Sequence, residues 1–319
     1  MNRLVLIDGN AMMHRAYHAL PPLTTPDGKP ANMVYGFVSM VLRLHHALKP
    51  SHMAVAFDRP GPTFRNKLFA DYQIQRPKAE DDFVSQIPMV HDTARAFGIP
   101  AYEADGFEAD DVIGTIAKAV QHTGIDQVII VTGDRDILQL VKDEKVMVYM
   151  PTKGLSEGKV YGEKDVVERM GVAPSLIPDF KALAGDPSDN YPGVPGIGPK
   201  TAVTLLNQFG SVEAVYKGIQ GKKHTITDTI RIKLTAGKKS ATLSHELATI
   251  RTDAPIKFNE SSAHITTFDT AAAHEALEAL HFPSLIRRLS GEMPPAQKKK
   301  QLAEKKKKEE SDSHQQALF

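Results

Sequence analysis

Three short apolar runs in the first half of the chain each lead to an aspartate. These runs and their acids are Leu4–Ile7 with Asp8, Met53–Phe57 with Asp58, and Val128–Val131 with Asp134. Helix-like patterns separate the runs, so they predict buried parallel strands in a doubly wound α/β sheet. Ligands bind beyond the carboxyl ends of the strands in such sheets, so we expect these acids to lie close together.

Apolar spacing also predicts the helices and a change of character along the chain. Apolar residues from Phe83 to Phe97 recur at intervals of four and three, which predicts an amphipathic helix, and a second helix is predicted from Glu108 to Val120. Strand patterns disappear after residue 171, and short helical segments with Gly and Pro follow. We therefore predict an α/β core over 1–171, a small α-helical domain over 172–290 and a disordered Lys-rich tail over 291–319.

Composition excludes several classes of protein. The 319 residues contain no cysteine, so disulfides and thiolate zinc sites are excluded, and a cytoplasmic location is the default expectation. No apolar stretch approaches the roughly 20 residues that cross a bilayer. The net charge of +1 does not describe the whole surface, because nine of the acids are candidate metal ligands, named below. Without these nine, 39 basic residues remain against 29 acidic ones. A moderately basic surface of this kind suits a partner that carries phosphates.

The predicted strand ends are rich in acids. The nine candidate ligands are Asp8, Asp58, Glu108, Asp110, Asp111, Asp134, Asp136, Asp186 and Asp189. Helix capping and Asx turns are alternatives for individual acids, and for Asp186 and Asp189 alone a turn is the simpler explanation. Repulsion among so many carboxylates favours a site for two Mg²⁺ ions, which Mn²⁺ can replace, since both cations prefer oxygen ligands.

Two further segments suggest contact with nucleic acid. The stretch from Arg59 to Asp82 interleaves basic and aromatic residues, as single-strand binding requires, although a solvated surface helix is the alternative. Gly193 to Thr201 contains three glycines and Lys200 but follows no apolar strand, so a P-loop is excluded and a hairpin between helices is favoured. Amides of such a hairpin can grip a phosphate without reading sequence. His14 and His18 lack a third ligand and are interpreted as ordinary helix residues.

Five motifs in the same order resemble the 5′ nuclease domain at the N-terminus of bacterial DNA polymerase I, within the flap endonuclease family. The motifs are Leu6-Ile-Asp-Gly-Asn10, Ala56-Phe-Asp58, Phe107-Glu-Ala-Asp-Asp-Val112, Thr132-Gly-Asp-Arg-Asp136 and Gly185-Asp-Pro-Ser-Asp-Asn190 with its glycine hairpin. The resemblance covers about residues 1–290. It implies a PIN-like core, a helix-hairpin-helix domain and metal-dependent hydrolysis of DNA at or near a 5′ end, including 5′ flaps, nicks and RNA primers.

The resemblance also implies roles for individual residues. Asp8, Asp58, Glu108 and Asp110 would surround the first metal; Asp110, Asp134, Asp136 and Asp189 would hold the second, with Asp111 and Asp186 acting directly or through water. A helical arch at about 60–82 would pass the 5′ strand, with Arg65 and Lys67 on the scissile phosphate and Tyr72 stacked on a base. Further DNA contacts would come from Arg76, Lys78, Gly193, Gly196, Gly198, Lys200 and Thr201, often with a K⁺ ion at the hairpin.

Departures from the family pattern qualify these expectations. Family members commonly carry Tyr-Lys where this chain has Tyr72-Gln73, so one phosphate contact should be weaker unless Arg76 or Lys78 compensates.

The length leads us to expect a free-standing, monomeric bacterial nuclease that works at the nucleoid. The terminal Gln315-Gln-Ala-Leu318-Phe319 resembles peptides that dock on the sliding clamp, with a chance match as the alternative. The rival functions are a non-catalytic DNA-junction binder and a metal-dependent phosphatase of small molecules.

Overall fold

A computed structural model of the protein describes residues 1–153, 157–220, 226–268 and 270–291. The strands are β1 Arg3–Asp8, β2 His52–Ala56, β3 Ala101–Tyr102, β4 Gln127–Val131, β5 Val146–Lys153 and β6 Glu157–Tyr161. They form one sheet in the order β3-β2-β1-β4-β5-β6, in which only β6 runs antiparallel to its neighbour. The predicted α/β class with a mainly parallel sheet is confirmed.

Helices cover both faces of the sheet and make up the rest of the fold. They are α1 Gly9–Ala19, α2 Asn32–Leu48, α3 Phe64–Leu68, α4 Asp81–Ala96, α5 Ala109–Ala119, α6 Glu163–Met170, α7 Ile177–Ala184, α8 Pro199–Phe209, α9 Val212–Gly218, α10 Asp228–Ala236, α11 Lys238–Ala248, α12 Glu260–Ala263, α13 Ala271–Ala279 and α14 Pro283–Leu289. Throughout the described ranges, none of them is both long and apolar enough to cross a membrane. The expected clamp-binding residues Gln315, Leu318 and Phe319 lie outside the described residues.

The three apolar runs form the centre of the sheet. Strand β1 lies between β2 and β4, so Leu6 is paired with Ala54 on one side and Ile130 on the other. Side chains on both faces of these strands are buried, which explains why their sequences are continuously apolar rather than alternating. Chain order reverses at β1, and this reversal opens a crevice at the carboxyl ends of β1 and β4.

The end of the described chain packs against the first domain rather than against the helical domain. Helices α13 and α14 cover α2 and α4, and their apolar residues share one core with the face of the sheet that α1 also covers. Tyr35 meets the Phe282 ring edge-on at 5.2 Å, and Arg288 donates to Ser39 Oγ at 3.1 Å. Residues that we assigned to the helical domain therefore complete the core of the α/β domain.

Candidate functional site

The turn between β1 and α1 fixes the first acid of the site. Asp8 is the N-cap of α1, where its Oδ1 accepts a hydrogen bond from Ala11 N at 2.9 Å. Its Oδ2 accepts from Thr132 Oγ1 at 2.6 Å, and the same hydroxyl accepts from Asp134 N at 2.9 Å. Thr132 therefore links the acids that follow β1 and β4.

Two neighbours of Asp8 position the acid after β2. A Cβ on Gly9 would lie 2.3 Å from the Phe57 ring, so only glycine allows the turn to pack against this residue. The next residue, Asn10, accepts a hydrogen bond from Asp58 N through Oδ1 at 2.9 Å. Asp58 Oδ1 in turn accepts from Ala109 N at 2.6 Å, which ties Asp58 to the first turn of α5.

The acids surround two adjoining cavities at the carboxyl edge of the sheet. The first cavity has a volume of about 440 Å³, and the acids that line it are Asp8, Asp58, Glu108, Asp110, Asp134, Asp136 and Asp189. The second has a volume of about 1020 Å³, and its walls include Asp186 together with Asp134, Asp136 and Asp189 from the first. The structure therefore brings eight of the nine predicted acids into one continuous crevice.

Burial in this crevice disfavours the charged form of several carboxyl groups and so raises their pKa. Burial is the main cause that raises the pKa of Asp8, Glu108 and Asp136 to about 7 in each case. It also raises the pKa of Asp110 well above its usual range, and the charge of Asp134 adds to this effect. Within the described chain, Asp8 and Asp110 form no ion pair with a basic side chain. A bound cation would stabilise their charged forms, so the donor set fits hard divalent metals.

Three acids already lie at metal-binding separation. Carboxylate oxygens of Asp136, Asp186 and Asp189 lie within 4.8 Å of one another, the only such group of three or more among the described residues. In this arrangement basic side chains neutralise them. The Lys181 ammonium contacts both Asp136 and Asp186, and Arg76 Nη2 lies 2.7 Å from Asp189 Oδ1. Although burial alone would raise the pKa of Asp186, Lys181 lowers it.

Asp111 and Arg65 form a buried ion pair with each other instead of the contacts that were predicted for them. Asp111 is fully buried, lines neither cavity and binds Arg65 through two hydrogen bonds of 2.7 and 3.0 Å. Arg65 forms part of the cavity wall, but it is 3% exposed and also donates to Leu247 O at 2.8 Å. The predictions of a metal ligand at Asp111 and a phosphate contact at Arg65 are therefore wrong for this structure, because the two side chains satisfy each other.

The basic stretch is folded against the site. Only α3 is helical between residues 62 and 80, and residues 70–75 form turns. Tyr72 is 5% exposed, and its hydroxyl donates to Glu108 Oε2 at 3.3 Å, so the predicted base stacking by Tyr72 is wrong for this arrangement. Gln73 Nε2 donates to Asp189 Oδ1 at 3.1 Å. Lys67 and Lys78 are exposed at the surface, as a phosphate contact requires.

The glycine hairpin joins α7 to α8, and its first glycine has a packing role. Gly193 is buried, its N–H donates to Ser244 Oγ at 3.1 Å, and its carbonyl accepts from Ser240. A Cβ there would lie 2.2 Å from Gly185 N, and φ is +60°. The predicted DNA contact at Gly193 is therefore wrong, because both backbone groups already have partners.

The rest of the hairpin faces outward. Gly196, Gly198 and Lys200 are exposed and Thr201 is half-buried. The carbonyl of Gly196 accepts from Lys233 Nζ at 3.0 Å, so one oxygen that a K⁺ ion could bind is engaged by a lysine. These residues remain predictions as DNA contacts, and the K⁺ site remains a prediction as well.

Several residues at the site were missed from the sequence. Exposed His14 lines the first cavity and packs on Phe83 at 4.5 Å between ring centroids, although we interpreted it as an ordinary helix residue. Arg135, Arg169 and Lys181 line the second cavity. Arg135 lies between Asp134 and Asp136, so its position in the motif was a usable signal. Arg169 and Lys181 come from separate helices, and no local pattern distinguishes them.

Comparisons with sequence families and curated proteins give matches over most of the chain. The family described as "5'-3' exonuclease, N-terminal resolvase-like domain" matches residues 3–171, and "5'-3' exonuclease, C-terminal SAM fold" matches residues 172–271. The chain is 41% identical over 288 residues to DNA polymerase I of Caldicellulosiruptor bescii, covering 90% of this chain and 33% of that protein. It is 37% identical to the 5'-3' exonuclease of Aquifex aeolicus, covering 91% of this chain and 96% of the relative.

Solved structures show the same fold at lower identity. Phage T5 5'-exonuclease with bound zinc superposes with a TM-score of 0.66 at 20% identity, covering 91% of this chain and 99% of the other. A T5 flap endonuclease complex with DNA and metal ions gives 0.66 at 19% identity, covering 91% and 98%. The chain spans about a third of the DNA polymerase I relative and nearly all of the Aquifex protein. It therefore belongs to the 5'-3' exonuclease family and corresponds to the exonuclease part of DNA polymerase I.

Proposed function

We propose that the protein is a structure-specific 5′–3′ exonuclease and flap endonuclease that hydrolyses DNA phosphodiesters with two divalent metal ions, Mg²⁺ being the expected ion and Mn²⁺ a substitute. The observation that carries the proposal is the crevice in which eight acids meet and in which burial raises the pKa of Asp8, Glu108, Asp110 and Asp136. Family membership supports the reaction class, and the T5 complex with DNA and metal ions supports the substrate.

The carboxylates divide into two groups by position. Asp8, Asp58, Glu108 and Asp110 would hold one cation beside β1 and α5, and the close group Asp136, Asp186 and Asp189 would hold the other with Asp134. Cations held there would supply the means to activate a water molecule and to stabilise the leaving oxygen in phosphodiester hydrolysis. The chain's own contribution is to fix the ligands through Thr132, Asn10 and the first turn of α5.

Basic residues lie in two places around the acids, and each group would bind a different part of the DNA. Lys67 and Lys78 lie on the basic stretch beside the first cavity, where the 5′ single strand would run. Arg135, Arg169 and Lys200 line the second cavity, where the duplex backbone would lie near the hairpin. Cations on these walls would offset the repulsion between DNA phosphates and the carboxylates.

The direct test uses a duplex with a 5′-labelled flap, incubated with Mg²⁺ or with EDTA. The wild type should release the flap near the junction only with Mg²⁺, and Asp134→Ala should reduce release to the level seen with EDTA. Asp92→Ala removes an exposed acid on α4 whose partner is Arg95, and it should cleave like the wild type. Tight, flap-selective binding without cleavage in Mg²⁺ or Mn²⁺ would instead identify a non-catalytic junction binder.

RNA primers and the sliding clamp are further proposed partners. Their support is the resemblance in sequence and, for the clamp, the terminal Gln315, Leu318 and Phe319. Deleting the last five residues should abolish binding to purified clamp while leaving cleavage of free oligonucleotides unchanged. Equal clamp binding by the shortened and the full-length chain would exclude this peptide as the docking site. With these partners, the protein would act at the nucleoid as a monomer.

A further inference from the structure

One acid of the proposed metal site is held by the basic stretch. Asp189 belongs to the group of three acids at metal-binding separation. Its Oδ1 accepts hydrogen bonds from Gln73 Nε2 at 3.1 Å and from Arg76 Nη2 at 2.7 Å, and its carbonyl accepts from Gln73 N at 3.0 Å. A carboxylate that the metal site needs is therefore already bound to donors of the chain itself.

Further hydrogen bonds join the same two parts of the chain. Gln75 Nε2 donates to Asn190 Oδ1 at 3.0 Å, and Asn190 Nδ2 donates to Asp71 O at 2.8 Å. Together with the three bonds to Asp189, they fasten segment 71–76 to loop 186–190. The basic stretch and the acidic loop therefore meet in an organised contact rather than through a single ion pair.

The contact is specific, yet most of it is open to water. Gln73 and Asn190 have φ values of +56° and +61°, a conformation that side chains other than glycine seldom adopt and that surrounding contacts must maintain. Gln75 and Arg76 are exposed, so water can replace their hydrogen bonds at a modest cost in free energy. The neighbouring Tyr72 is 5% exposed. The segment can therefore separate from the loop beyond Tyr72 while this side chain stays buried.

The contact opposes two steps of the proposed reaction. A metal ion and the Arg76 guanidinium compete for Asp189, because two cations beside one carboxylate repel each other. The donors of Gln73 and Arg76 that hold Asp189 are also the donors that a DNA phosphate beside the basic stretch would use. While the contact persists, Asp189 is withheld from the metal and these donors are withheld from the DNA.

We propose that the contact between segment 71–76 and loop 186–190 is autoinhibitory: a divalent cation that binds Asp189 displaces Arg76, and the released segment binds the phosphates of the 5′ strand. The inference rests on the proposed metal-dependent function. Because linkage between two binding events is reciprocal, a strand that draws Arg76 away from Asp189 strengthens metal binding by the same factor. The contact therefore couples metal binding to the binding of DNA.

The first measurement is the Mn²⁺ affinity of the full chain by titration calorimetry, without DNA, for the wild type, Arg76→Ala and Lys78→Ala. Arg76→Ala should strengthen the binding of one ion by about 5-fold to 10-fold, because the ion no longer competes with a partly solvated, charged hydrogen bond. Lys78→Ala is the matched control, since it removes the same charge from an exposed residue of the same stretch. Its Mn²⁺ affinity should stay within about twofold of the wild type, because solvent screens an exposed charge.

The second measurement is hydrogen exchange, followed by mass spectrometry on peptides that contain Gln73. The Gln73 N–H donates to Asp189 O, so it should exchange slowly in EDTA. Saturating Mg²⁺ should accelerate this exchange by about 10-fold, because the released segment loses that acceptor. The amides of α4 should exchange at an unchanged rate, which distinguishes release of the segment from a general loosening of the fold.

The outcomes separate the inference from the function on which it rests. Mn²⁺ binding together with unchanged exchange at Gln73 in Mg²⁺ would overturn the inference and leave the metal site intact. Wild-type or weaker affinity in Arg76→Ala, or an equal gain in Lys78→Ala, would also overturn it, since Arg76 would then not compete with the cation. A folded wild type that binds no Mn²⁺ would refute the proposed function together with the inference.

Discussion

Replacing Arg65 by methionine removes the cation that joins three parts of the fold. Arg65 lies on α3, its partner Asp111 lies on α5, and its remaining donors reach Leu247 O at the end of α11 and Thr249 O just beyond it. Arg65 and Asp111 are 3% and 0% exposed, so solvent cannot replace the lost partner. Breaking a buried pair by removing one ion typically costs about 3–5 kcal/mol, and we expect a loss of this size.

Urea unfolding followed by circular dichroism measures this loss directly. A decrease of about 3–5 kcal/mol is a large part of the 5–15 kcal/mol that stabilises an ordinary domain, so the midpoint should fall markedly. In a double-mutant cycle with Asp111→Asn, the two changes should be coupled by about 1–3 kcal/mol, because the second removes the charge that the first leaves unpaired.

Lys67→Ala is the control on the same helix. Lys67 is exposed, so its loss should change stability by less than about 0.5 kcal/mol. It should instead weaken DNA binding and reduce the salt dependence by about one unit of slope, as loss of one phosphate contact does. If Arg65→Met unfolded at the wild-type urea concentration yet weakened DNA binding as Lys67→Ala does, the reasoning from burial would be refuted and Arg65 would be a phosphate contact.

Two other substitutions test the charge balance of the crevice. Lys181→Met should lower the stability of the metal-free protein by about 3–5 kcal/mol, because Asp136 and Asp186 lose their shared cation, and saturating Mg²⁺ should restore most of it. Equal losses with and without Mg²⁺ in thermal unfolding would contradict this. Gln73→Lys should strengthen binding of a 5′ flap and steepen its salt dependence by about one unit, whereas exposed Gln121→Lys should not. Unchanged salt dependence in Gln73→Lys would show that position 73 does not face a phosphate.

The central strands and the clustering of the candidate acids could be predicted because both depend on local pattern. Leu4–Ile7 is apolar throughout since both faces of β1 are covered, and Asp8 follows because the site lies at the strand end. Strand β3 has only two residues and left no pattern to recognise. Eight of the nine predicted acids line the crevice, whereas the role of each side chain stays a prediction.

The errors concern contacts between distant parts of the chain. Arg65 binds Leu247 O across 182 positions, and nothing local distinguishes it from the exposed Lys67 two residues later. Gly193 resembles a phosphate-binding glycine in sequence, whereas its close approach to Gly185 becomes visible only when the hairpin is folded. Lys181 could not be paired with Asp136 from the sequence, since the two residues meet only because α7 packs against the segment Asp136–Leu140.

The packing of α13 and α14 on α2 has a consequence for synthesis on the ribosome. The side of α2 that carries Tyr35 and Ser39 is covered by Phe282 and Arg288, which are translated more than 100 residues after the α/β core ends. At about 5–20 residues per second, this side stays uncovered for on the order of 5–20 s in each nascent chain. During that interval it is a natural binding surface for chaperones, and a messenger truncated before α13 would yield a protein that retains every proposed metal ligand yet aggregates.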